Sequence, residues 1–593
     1  MKKLTFGTPE PFVPSRFCSG FHYTETDIAF DTRSICFRHT PRGALLEIPV
    51  KEGTQFFGLG LQLKGINHTG RKLTLRVNAD PVAYSGDSHA PVPFLVTNAG
   101  WGIYVDTARQ AEFYCGVHKS NGEYVLAILI PAARGVDLYV IEDASITGIV
   151  AQYNMLAGGG CTVPAWALGV FYRCYSLYSG EKICAMADYF RSHDIPCDIL
   201  GLEPGWQNQT YSCSYVFNRE LYPDPDAVLG YLRQNGFHVN LWEHAFVHPS
   251  SPIYPEIRDY SADCTVWSGA VPDFSLPEAR RIFADYHRKN LVRHGVDGFK
   301  LDECDSSDYT GSWSFPLWAQ FPGGMDGEQY HALFGTLYMQ TILQALDGTP
   351  TLSEVRNAGA LAAPYPFVLY SDLYDHRDFI RGTVSAGFSG LLWTPEVRHA
   401  KDARDLLRRI QSTIFSVQCL INAWYCEEAP WLAFGSACED KVRALFTLRK
   451  TLVPMLAAAF RRYHETGVPP VRALVMDFTD DPETYTIDDA YMFCEDLLVA
   501  PMTADQEERR CYLPAGDWIW RDFFTKEEVP SGWIVCCEKR ESVCHDEKEG
   551  GDAATVLPDS YHAGHAEEQS VRDTCPRVFT DDRIPVFLRE RHS

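Results

Sequence analysis

The sequence lacks a basic region. Its 53 Lys and Arg residues stand against 77 Asp and Glu residues, for a formal net charge of −24 at pH 7. Proteins that bind nucleic acids by displacing counterions need clustered positive charge, and anionic membrane surfaces select for the same property. We therefore expect neither nucleic acid nor membrane among the partners of this chain, and a neutral substrate fits the charge balance better.

Long apolar segments and ordered cysteine spacings are also missing. The N-terminal segment Met1–Phe17 has two lysines but no apolar stretch of about 7–15 residues, so it does not have the form of a secretory signal. No run reaches about 18 apolar residues, the length that spans a membrane. The 19 cysteines match no disulfide framework, and Cys536, Cys537, Cys544 and His545 match no standard zinc spacing. These absences predict free thiols, a cytoplasmic protein and no bound metal.

Two common catalytic motifs do not occur either. The sequence contains no phosphate-binding GxxxxGK[ST] loop and no nucleophilic serine within GxSxG. Hydrophobic residues make up 46% and charged residues 22% of the chain, which is ordinary for a globular protein and excludes disorder over most of its length.

Four segments follow one another along the chain, and together they predict an α/β fold. Residues 1–163 are predicted as an N-terminal β-sandwich, because short alternating runs are separated by Gly, Asn and Pro turns. In residues 164–448, eight short apolar strands alternate with amphipathic helices, which predicts a (β/α)8 TIM barrel, with an open doubly wound sheet as the alternative. Residues 449–535 are predicted as a C-terminal β-sandwich domain. Residues 536–593 are predicted as a polar insertion, to about residue 573, and a short β tail.

Two carboxylates stand at the ends of predicted barrel strands. Asp302 ends GFKLD and Asp372 ends FVLYSD, and barrel active sites lie at the carboxyl ends of the strands. Cleavage of a glycosidic bond needs such a pair, one group to protonate the leaving oxygen and one to attack the anomeric carbon or to activate water. Asp375 and Asp378 are nearby rivals for the acid.

The segment DGFKLDECD, Asp297–Asp305, resembles the nucleophile segment of glycoside hydrolase family 31. The resemblance implies that Asp302 is the nucleophile and that Asp305 orients the substrate. With Lys300 two residues before Asp302, the segment resembles the branch of the family that includes α-xylosidases. A second signature agrees, since Arg356 and Asp372 have the spacing of the family's sugar-gripping arginine and its acid/base. The resemblance therefore assigns Asp372 as the acid/base.

Looser matches suggest further residues that contact the sugar. Phe57–Gln62, FGLGLQ, resembles the sandwich signature of the family. The resemblance implies that a sandwich loop reaches the sugar, that a carboxylate accepts hydrogen bonds from its hydroxyl groups and that aromatic residues line the pocket. The implied substrate-binding residues are Asp80, Glu203, Trp242, His244, Trp267 and Trp393. Barrel-core packing is the alternative for Trp242 and Trp393, and a structural role is the alternative for His244.

The departures from the family pattern bear on the sugar. In WTPEVRHA, Glu396 stands where the family has an Asp, and Pro395 stands where it has a His. The combination of LEPGW, DHRDFIRG and WTPEVR resembles the α-galactosidase and α-N-acetylgalactosaminidase branch. This resemblance implies a pocket rebuilt for a galacto-configured sugar, with Glu396 among its ligands.

We therefore predict a retaining, exo-acting α-glycoside hydrolase without a cofactor, which releases a terminal α-galactoside or α-N-acetylgalactosaminide through a covalent intermediate on Asp302. Asp372 needs a raised pKa for this role, while Asp302 stays ionised. An α-xylosidase or α-glucosidase with the same mechanism is the alternative, and a catalytically silent sugar-binding protein is the alternative from another class. The sequence does not separate hydrolysis from transglycosylation or elimination, and it leaves homo-oligomerisation open.

Overall fold

A computed structural model describes residues 1–79, 81–120, 122–307, 313–538, 577–579 and 583–591. Asp80 and most of the predicted insertion lie outside these residues. Within them, the helices are either too short or too polar to cross a bilayer.

The N-terminal region forms two antiparallel five-stranded sheets that share one apolar core. Alternation explains this packing, since Leu73 and Leu75 point inward from the run that begins at Lys72. The first sheet contains, in spatial order, Lys2–Gly7, Gly135–Glu142, Trp101–Asp106, Phe94–Thr97 and Phe56–Gly58. The second contains Cys36–Thr40, Gly43–Pro49, Glu123–Pro131, Glu112–Ser120 and Arg71–Thr74. A short pair, Arg76–Val77 and Asp87–Ser88, precedes His89.

Eight parallel strands follow and form the barrel. They are β1 Val170–Arg173, β2 Ile199–Leu202, β3 His238–His244, β4 Gly298–Asp302, β5 Ser353–Val355, β6 Phe367–Leu369, β7 Glu396–Val397 and β8 Cys419–Asn422. Their order in the sheet is β6, β5, β4, β3, β2, β1, β8, β7. A parallel bridge between Leu369 and Trp393 joins the two ends, so the sheet closes on itself. This arrangement confirms the predicted barrel over the open sheet.

In the described part of the chain, seven helices of ten or more residues lie between or after these strands. They are α1 Gly180–Ser192, α2 Pro225–Gln234, α3 Pro277–Asn290, α4 Gly327–Leu346, α5 His376–Ala386, α6 Ala403–Ile414 and α7 Ser436–Thr466. Acidic side chains cap several of them, as Asp326 does for α4 in a capping box with Gln329. The segment between β5 and β6 contains no helix, so these two strands are joined by a coil that carries Arg356.

Shorter elements complete the connections. The remaining α-helices are Pro14–Phe17, Ile146–Leu156, Tyr254–Ile257 and Leu474–Asp477, and a hairpin pairs Ser261–Val266 with Gly269–Pro272. The 3₁₀ turns are Thr32–Ser34, Ala165–Leu168, Pro204–Trp206, Arg258–Tyr260, Val292–His294, Gly387–Ser389, Pro430–Phe434 and Pro482–Thr486.

The segment Phe57–Gln62 joins the sandwich to the barrel. The rings of Phe57 and Phe388 stack with centroids 5.5 Å apart. The backbone N–H of Gly60 donates to Ser389 Oγ at 3.0 Å, and that of Gln62 donates to Ser385 Oγ at 3.2 Å. These contacts hold the sandwich against the end of α5, which begins at His376, a few residues after Asp372; Asp372 itself lies three residues beyond the end of β6.

The domain boundary predicted between residues 448 and 449 falls inside α7. This helix runs 31 residues, and Pro454 lies within it. A proline in a helix interior removes one hydrogen bond, yet α7 continues past Pro454 to Thr466. The buried positions Val442, Leu445, Phe446, Leu452 and Leu456 follow the helical period and hold α7 on the barrel. The other predicted domain boundaries stay predictions.

The C-terminal region is β structure, as predicted. Its six-stranded sheet contains Val471–Ala473, Tyr491–Phe493, Leu497–Val499, Val586–Arg591, Trp518–Asp522 and Glu528–Val529. A three-stranded sheet contains Glu508–Leu513, Gly532–Glu538 and Arg577–Phe579. The two sheets share an apolar core around Trp520 and Phe587.

Candidate active site

Asp302 is the last residue of β4, at the carboxyl end of the barrel. The residue is 8% exposed. The indole N–H of Trp242, on neighbouring β3, donates to Asp302 Oδ2 at 2.6 Å. The backbone N–H of Glu303 donates to Asp302 Oδ1 at 3.0 Å. Both oxygens are therefore oriented by fixed donors, as a nucleophilic carboxylate requires.

Arg356, on the coil after β5, links three carboxylates. Its Nε donates to Asp305 Oδ2 at 3.0 Å, and its Nη1 donates to Asp372 Oδ2 at 2.5 Å. The same Nη1 lies 3.8 Å from Asp302 Oδ1. Because both of the latter distances start from one atom, the two aspartate oxygens are at most 6.3 Å apart, the sum of 3.8 Å and 2.5 Å. The structure therefore brings the two predicted catalytic carboxylates together.

The rival acids Asp375 and Asp378 have structural contacts. Asp375 is the N-cap of α5, where its side chain accepts the backbone N–H of Asp378 at 2.9 Å. The side chain of Asp378 pairs with Lys64 of the sandwich and with Arg381 of its own helix. Asp372, in contrast, has a side chain that is 54% exposed and faces Arg356. The geometry favours Asp372 among the three as the acid/base.

The pKa directions of the pair are the reverse of the predicted ones. Burial raises the pKa of Asp302, although Arg356 and Lys300 act against it. Burial also acts to raise the pKa of Asp372, but the charges of Arg356 and Lys300 outweigh it and hold this pKa below its ordinary value. The prediction that Asp372 has the raised pKa is therefore wrong for this arrangement, because its carboxylate pairs directly with Arg356.

Glu203, the residue after β2, belongs to a buried ionic network inside the barrel. Arg173, the last residue of β1, donates to Glu203 Oε1 at 2.7 Å and also pairs with Glu354 of β5. Lys300 of β4 donates to both oxygens of Glu203, at 3.3 and 3.2 Å. The side chain of Glu203 is 2% exposed. The resemblance predicts a sugar as the partner of Glu203, whereas in the structure its carboxylate contacts two cations, Arg173 and Lys300.

Aromatic side chains form one wall beside Asp302. Trp242 is buried, and Trp267, half-buried, lies with its ring centroid 5.2 Å from that of His244. Tyr211, from the segment after β2, adds a third ring 5.4 Å from Trp242 and 5.0 Å from Trp267. Tyr211 is 45% exposed, and such an amphipathic ring suits the apolar face of a sugar. Sequence reasoning missed it because no periodic strand or helix marks this segment.

Buried histidines predict a loss of stability in mild acid. Burial lowers the pKa of His244 to about 3, of His376 to about 3 and of His68 to about 4, from an ordinary value of 6.5. Between pH 6.5 and these values, the unfolded chain binds more protons than the folded chain, so stability falls as the pH decreases. Each histidine contributes up to about 1.4 kcal/mol per pH unit.

We expect the free energy of unfolding in urea to decrease from pH 7 to pH 5, and the decrease to be smaller in His376→Gln. The His376 Nε2 contacts Ser412 Oγ at 2.8 Å, and a glutamine amide retains a hydrogen-bonding group there without titrating. An equal change of the free energy of unfolding with pH in the wild type and in the variant would contradict this prediction.

Glu396 lies on β7, and its two carboxylate oxygens contact different residues, Asn422 and Arg398. Asn422 donates to Glu396 Oε2 at 2.7 Å, and Arg398 Nε lies 2.7 Å from Glu396 Oε1. Arg398 Nη2 in turn donates to the backbone oxygen of Asp372 at 2.7 Å. Glu396 is thus connected to the acid/base segment through Arg398. Trp393 lies apart from this group: it is 2% exposed, and its indole N–H donates to Phe379 O at 3.0 Å.

His89 of the sandwich reaches Asp305 and Ser371 at the carboxyl end of the barrel, and the sequence contains no signal for it. Its Nδ1 lies 2.5 Å from Asp305 Oδ2, and its Nε2 lies 2.8 Å from Ser371 Oγ. Asp305 is 1% exposed, and although burial acts to raise its pKa, Arg356 and His89 hold this pKa below the ordinary value. The sandwich therefore contributes to the site through His89, while Asp80, the predicted contributor, lies outside the described residues.

Curated relatives share the barrel over most of this chain. An α-xylosidase from Emericella nidulans is 23% identical over 497 residues, which cover 79% of this chain and 62% of the relative. The α-xylosidase XylQ from Lactiplantibacillus pentosus is 23% identical and covers 78% and 63%. α-Glucosidase 2 from Bacillus thermoamyloliquefaciens is 24% identical and covers 81% and 64%. The chain thus spans less than two thirds of the length of these relatives.

Solved structures show the same fold. The Flavobacterium johnsoniae GH31 dextranase FjDex31A, complexed with glucose, superposes with a TM-score of 0.76 at 20% identity, covering 93% of this chain and 67% of the other. A GH31 α-xylosidase from a soil metagenome, complexed with xylose, superposes with a TM-score of 0.74 at 18% identity, covering 94% and 82%.

Family comparison covers the barrel and the region after it. Residues 161–459 match the TIM-barrel domain of glycosyl hydrolases family 31, and residues 467–592 match the C-terminal domain of that family. The first match alone spans half of the chain and contains Asp302, Arg356 and Asp372. This protein belongs to glycosyl hydrolase family 31.

Proposed function

We propose that this protein is a retaining, exo-acting α-glycosidase in which Asp302 is the nucleophile and Asp372 the acid/base. The observation that carries this proposal is the shared contact of both carboxylates with Arg356 Nη1, which limits their facing oxygens to 6.3 Å. Carboxyl groups about 5–5.5 Å apart serve double displacement, whereas inverting enzymes need about 6.5–9.5 Å to admit a water molecule.

The chemistry proceeds in two balanced steps. In the first, an oxygen of the Asp302 carboxylate bonds to the anomeric carbon while the bond to the leaving oxygen breaks, and the Asp372 proton passes to that oxygen. In the second, Asp372 takes a proton from water, the water oxygen bonds to the anomeric carbon and Asp302 leaves as a carboxylate. Another sugar in place of water gives transglycosylation with the same residues.

This cycle requires the proton on Asp372, although Arg356 favours its ionised form. The exposed side chain of Asp372 leaves room for it to part from Arg356. We propose that sugar hydroxyl groups accept the Arg356 N–H groups on binding and thereby weaken its pairing with Asp372, which raises the pKa of that carboxyl. Catalytic hydrogen bonds often reach their working geometry only with substrate bound.

For the sugar, we propose a terminal α-glucosyl or α-xylosyl residue. The names of the relatives support this choice. The nucleophile segment supports it too, because with Lys300 it resembles the α-xylosidase branch. The predicted galacto specificity finds no support among these relatives and depends on the combination of the LEPGW, DHRDFIRG and WTPEVR motifs. In the structure, residues of these motifs form ionic contacts, Glu396 with Arg398 and Glu203 with Arg173. Homo-oligomerisation and a cytoplasmic location stay predictions.

The experiment is hydrolysis of 4-nitrophenyl α-glucoside, α-xyloside, α-galactoside and α-N-acetylgalactosaminide, with the first-formed anomer identified by NMR. We expect the highest kcat/KM on the glucoside or the xyloside, with the α-anomer released first. A preference for either galacto sugar would reject the proposed sugar and keep the mechanism, and first release of the β-anomer would reject the retaining mechanism. No turnover by folded protein that still binds a sugar would favour the silent binding protein.

A further inference from the structure

Glu303, the residue directly after Asp302, has a carboxyl group that the protein does not pair. Within the described part of the chain, no hydrogen bond or ion pair engages this side chain, although its backbone N–H donates to Asp302 Oδ1 at 3.0 Å. The residue is half-buried at the mouth of the barrel. Carboxylates in such positions are normally paired, because a partly desolvated charge without a partner is costly.

The backbone at Glu303 is also unusual. Its φ is +57°, a left-handed conformation that non-glycine residues seldom adopt and that is unfavourable unless the surroundings impose it. Strain of this kind concentrates at functional sites. Here it directs the Glu303 N–H at the Asp302 carboxylate and leaves the Glu303 side chain beside the same space above β4.

No cation among the described residues pairs with Glu303. Four cations of this part of the chain lie around the site, and each is engaged by other groups: Arg173, Lys300, Arg356 and Arg398. The carboxyl groups near them number seven, namely Glu203, Asp302, Glu303, Asp305, Glu354, Asp372 and Glu396. Burial, followed by the charge of Asp302, raises the pKa of Glu303 well above its ordinary value, against the opposing charge of Arg356. Glu303 therefore lacks the compensation that its neighbours have.

We propose that Glu303 is a specificity-determining residue whose carboxyl group forms a hydrogen bond with a hydroxyl group of the sugar held over Asp302. This inference rests on the proposed function, since it requires a sugar at that position. A carboxyl group accepts from a hydroxyl when ionised and also donates to one when protonated. A sugar hydroxyl group would thus be the hydrogen-bond partner that the described protein residues do not provide for Glu303. Tyr211, which lies close enough for Glu303 to act on its pKa, faces the same space.

The test is a cycle that combines changes in the protein with changes in the sugar. The proteins are the wild type, Glu303→Gln, Glu303→Ala and the control Glu220→Gln, whose glutamate is exposed and has no side-chain partner among the described residues. The substrates are the preferred 4-nitrophenyl α-glycoside and its monodeoxy analogues. Both substitutions at residue 303 keep a Cβ atom, so the backbone strain at φ +57° changes little. Thermal melting establishes that each variant is folded.

We expect one deoxy position to lower kcat/KM of the wild type by about 10- to 100-fold, the range for a buried polar group that is left without its hydrogen-bond partner. Glu303→Ala should lose a similar factor on the parent substrate and lose less than about twofold more on that deoxy analogue. Glu303→Gln should fall between the wild type and Glu303→Ala, and Glu220→Gln should match the wild type. Additive losses at every position, in both Glu303→Ala and Glu303→Gln, would overturn the proposal.

Calorimetric binding of glucose, xylose, galactose and their deoxy forms separates this proposal from the proposed function. Coupling in Kd without turnover would retain Glu303 as a recognition residue and reject the glycosidase. Turnover without coupling between the substitution at Glu303 and the loss of a sugar hydroxyl group, in kcat/KM or in Kd, would retain the glycosidase and reject the role of Glu303. Neither turnover nor binding of any of these sugars would reject both.

Discussion

Asp302→Ala is expected to lower kcat on 4-nitrophenyl α-glycosides by at least about 10⁴-fold, which corresponds to roughly 5.4 kcal/mol of transition-state stabilisation. The substitution removes the atom that bonds to the anomeric carbon, and no described neighbour has the same orientation by Trp242 and the Glu303 N–H. The measurement is steady-state kinetics at matched concentrations of folded enzyme.

Added azide makes the result specific. A small anion that fits the space left by the Asp302 carboxylate should restore turnover of an activated α-glycosyl fluoride and yield the β-glycosyl azide. The control is Asp297→Asn, at the opposite end of the same strand, where Asp297 Oδ2 accepts the backbone N–H of Val239 at 3.0 Å. Near-normal activity of Asp302→Ala, or equal losses in both variants, would contradict the assignment of the nucleophile.

Asp372→Ala is expected to have an effect that depends on the leaving group. General acid catalysis contributes about 10²–10⁴-fold. We therefore expect kcat/KM on an unactivated disaccharide to decrease by a factor in that range. A 2,4-dinitrophenyl α-glycoside, whose leaving group needs no proton, should lose much less in the first step. Azide should then attack the β-glycosyl enzyme and release the α-glycosyl azide, the opposite anomer from that formed by Asp302→Ala.

Asp375→Asn is the matched control for Asp372→Ala, because Asp375 lies three residues away and caps α5. An asparagine retains the cap, so this variant should keep wild-type kcat with both leaving groups. If Asp375→Asn showed the dependence on the leaving group and Asp372→Ala did not, the acid/base would have to be reassigned. A uniform loss across leaving groups in Asp372→Ala would instead indicate a structural role.

Local sequence signals were sufficient for the barrel and for most of its strand ends. Each barrel strand is a short apolar run, and parallel strands in a closed barrel put their carboxyl ends on one face. This geometry alone brings Asp302, Glu203 and Arg173 to the same end of the barrel. The extent of α7 was not evident in the same way, since the helix runs from Ser436 to Thr466 with Pro454 inside it.

Contacts between segments that are distant in the chain could not be predicted from the sequence. His89 approaches Asp305 across 216 positions of the chain, and no pattern around His89 marks that approach. The pKa order was also inaccessible, because it depends on which carboxylate pairs with Arg356 and which is buried more deeply. The unpaired state of Glu303 is likewise defined by the positions of all neighbouring cations.

The family resemblance, the alternation of strands and helices, and the two aspartates that we propose as catalytic were evident from the amino-acid order, because they depend on short-range patterns and on spacing along one chain. The folded chain was needed to establish how close the two carboxylates lie, which residues neutralise Glu203 and Glu396, and which described carboxyl lacks a partner. The physical reason is that hydrogen bonding, burial and electrostatic pairing depend on distances in space of a few ångströms, and these distances arise where segments far apart in the chain meet.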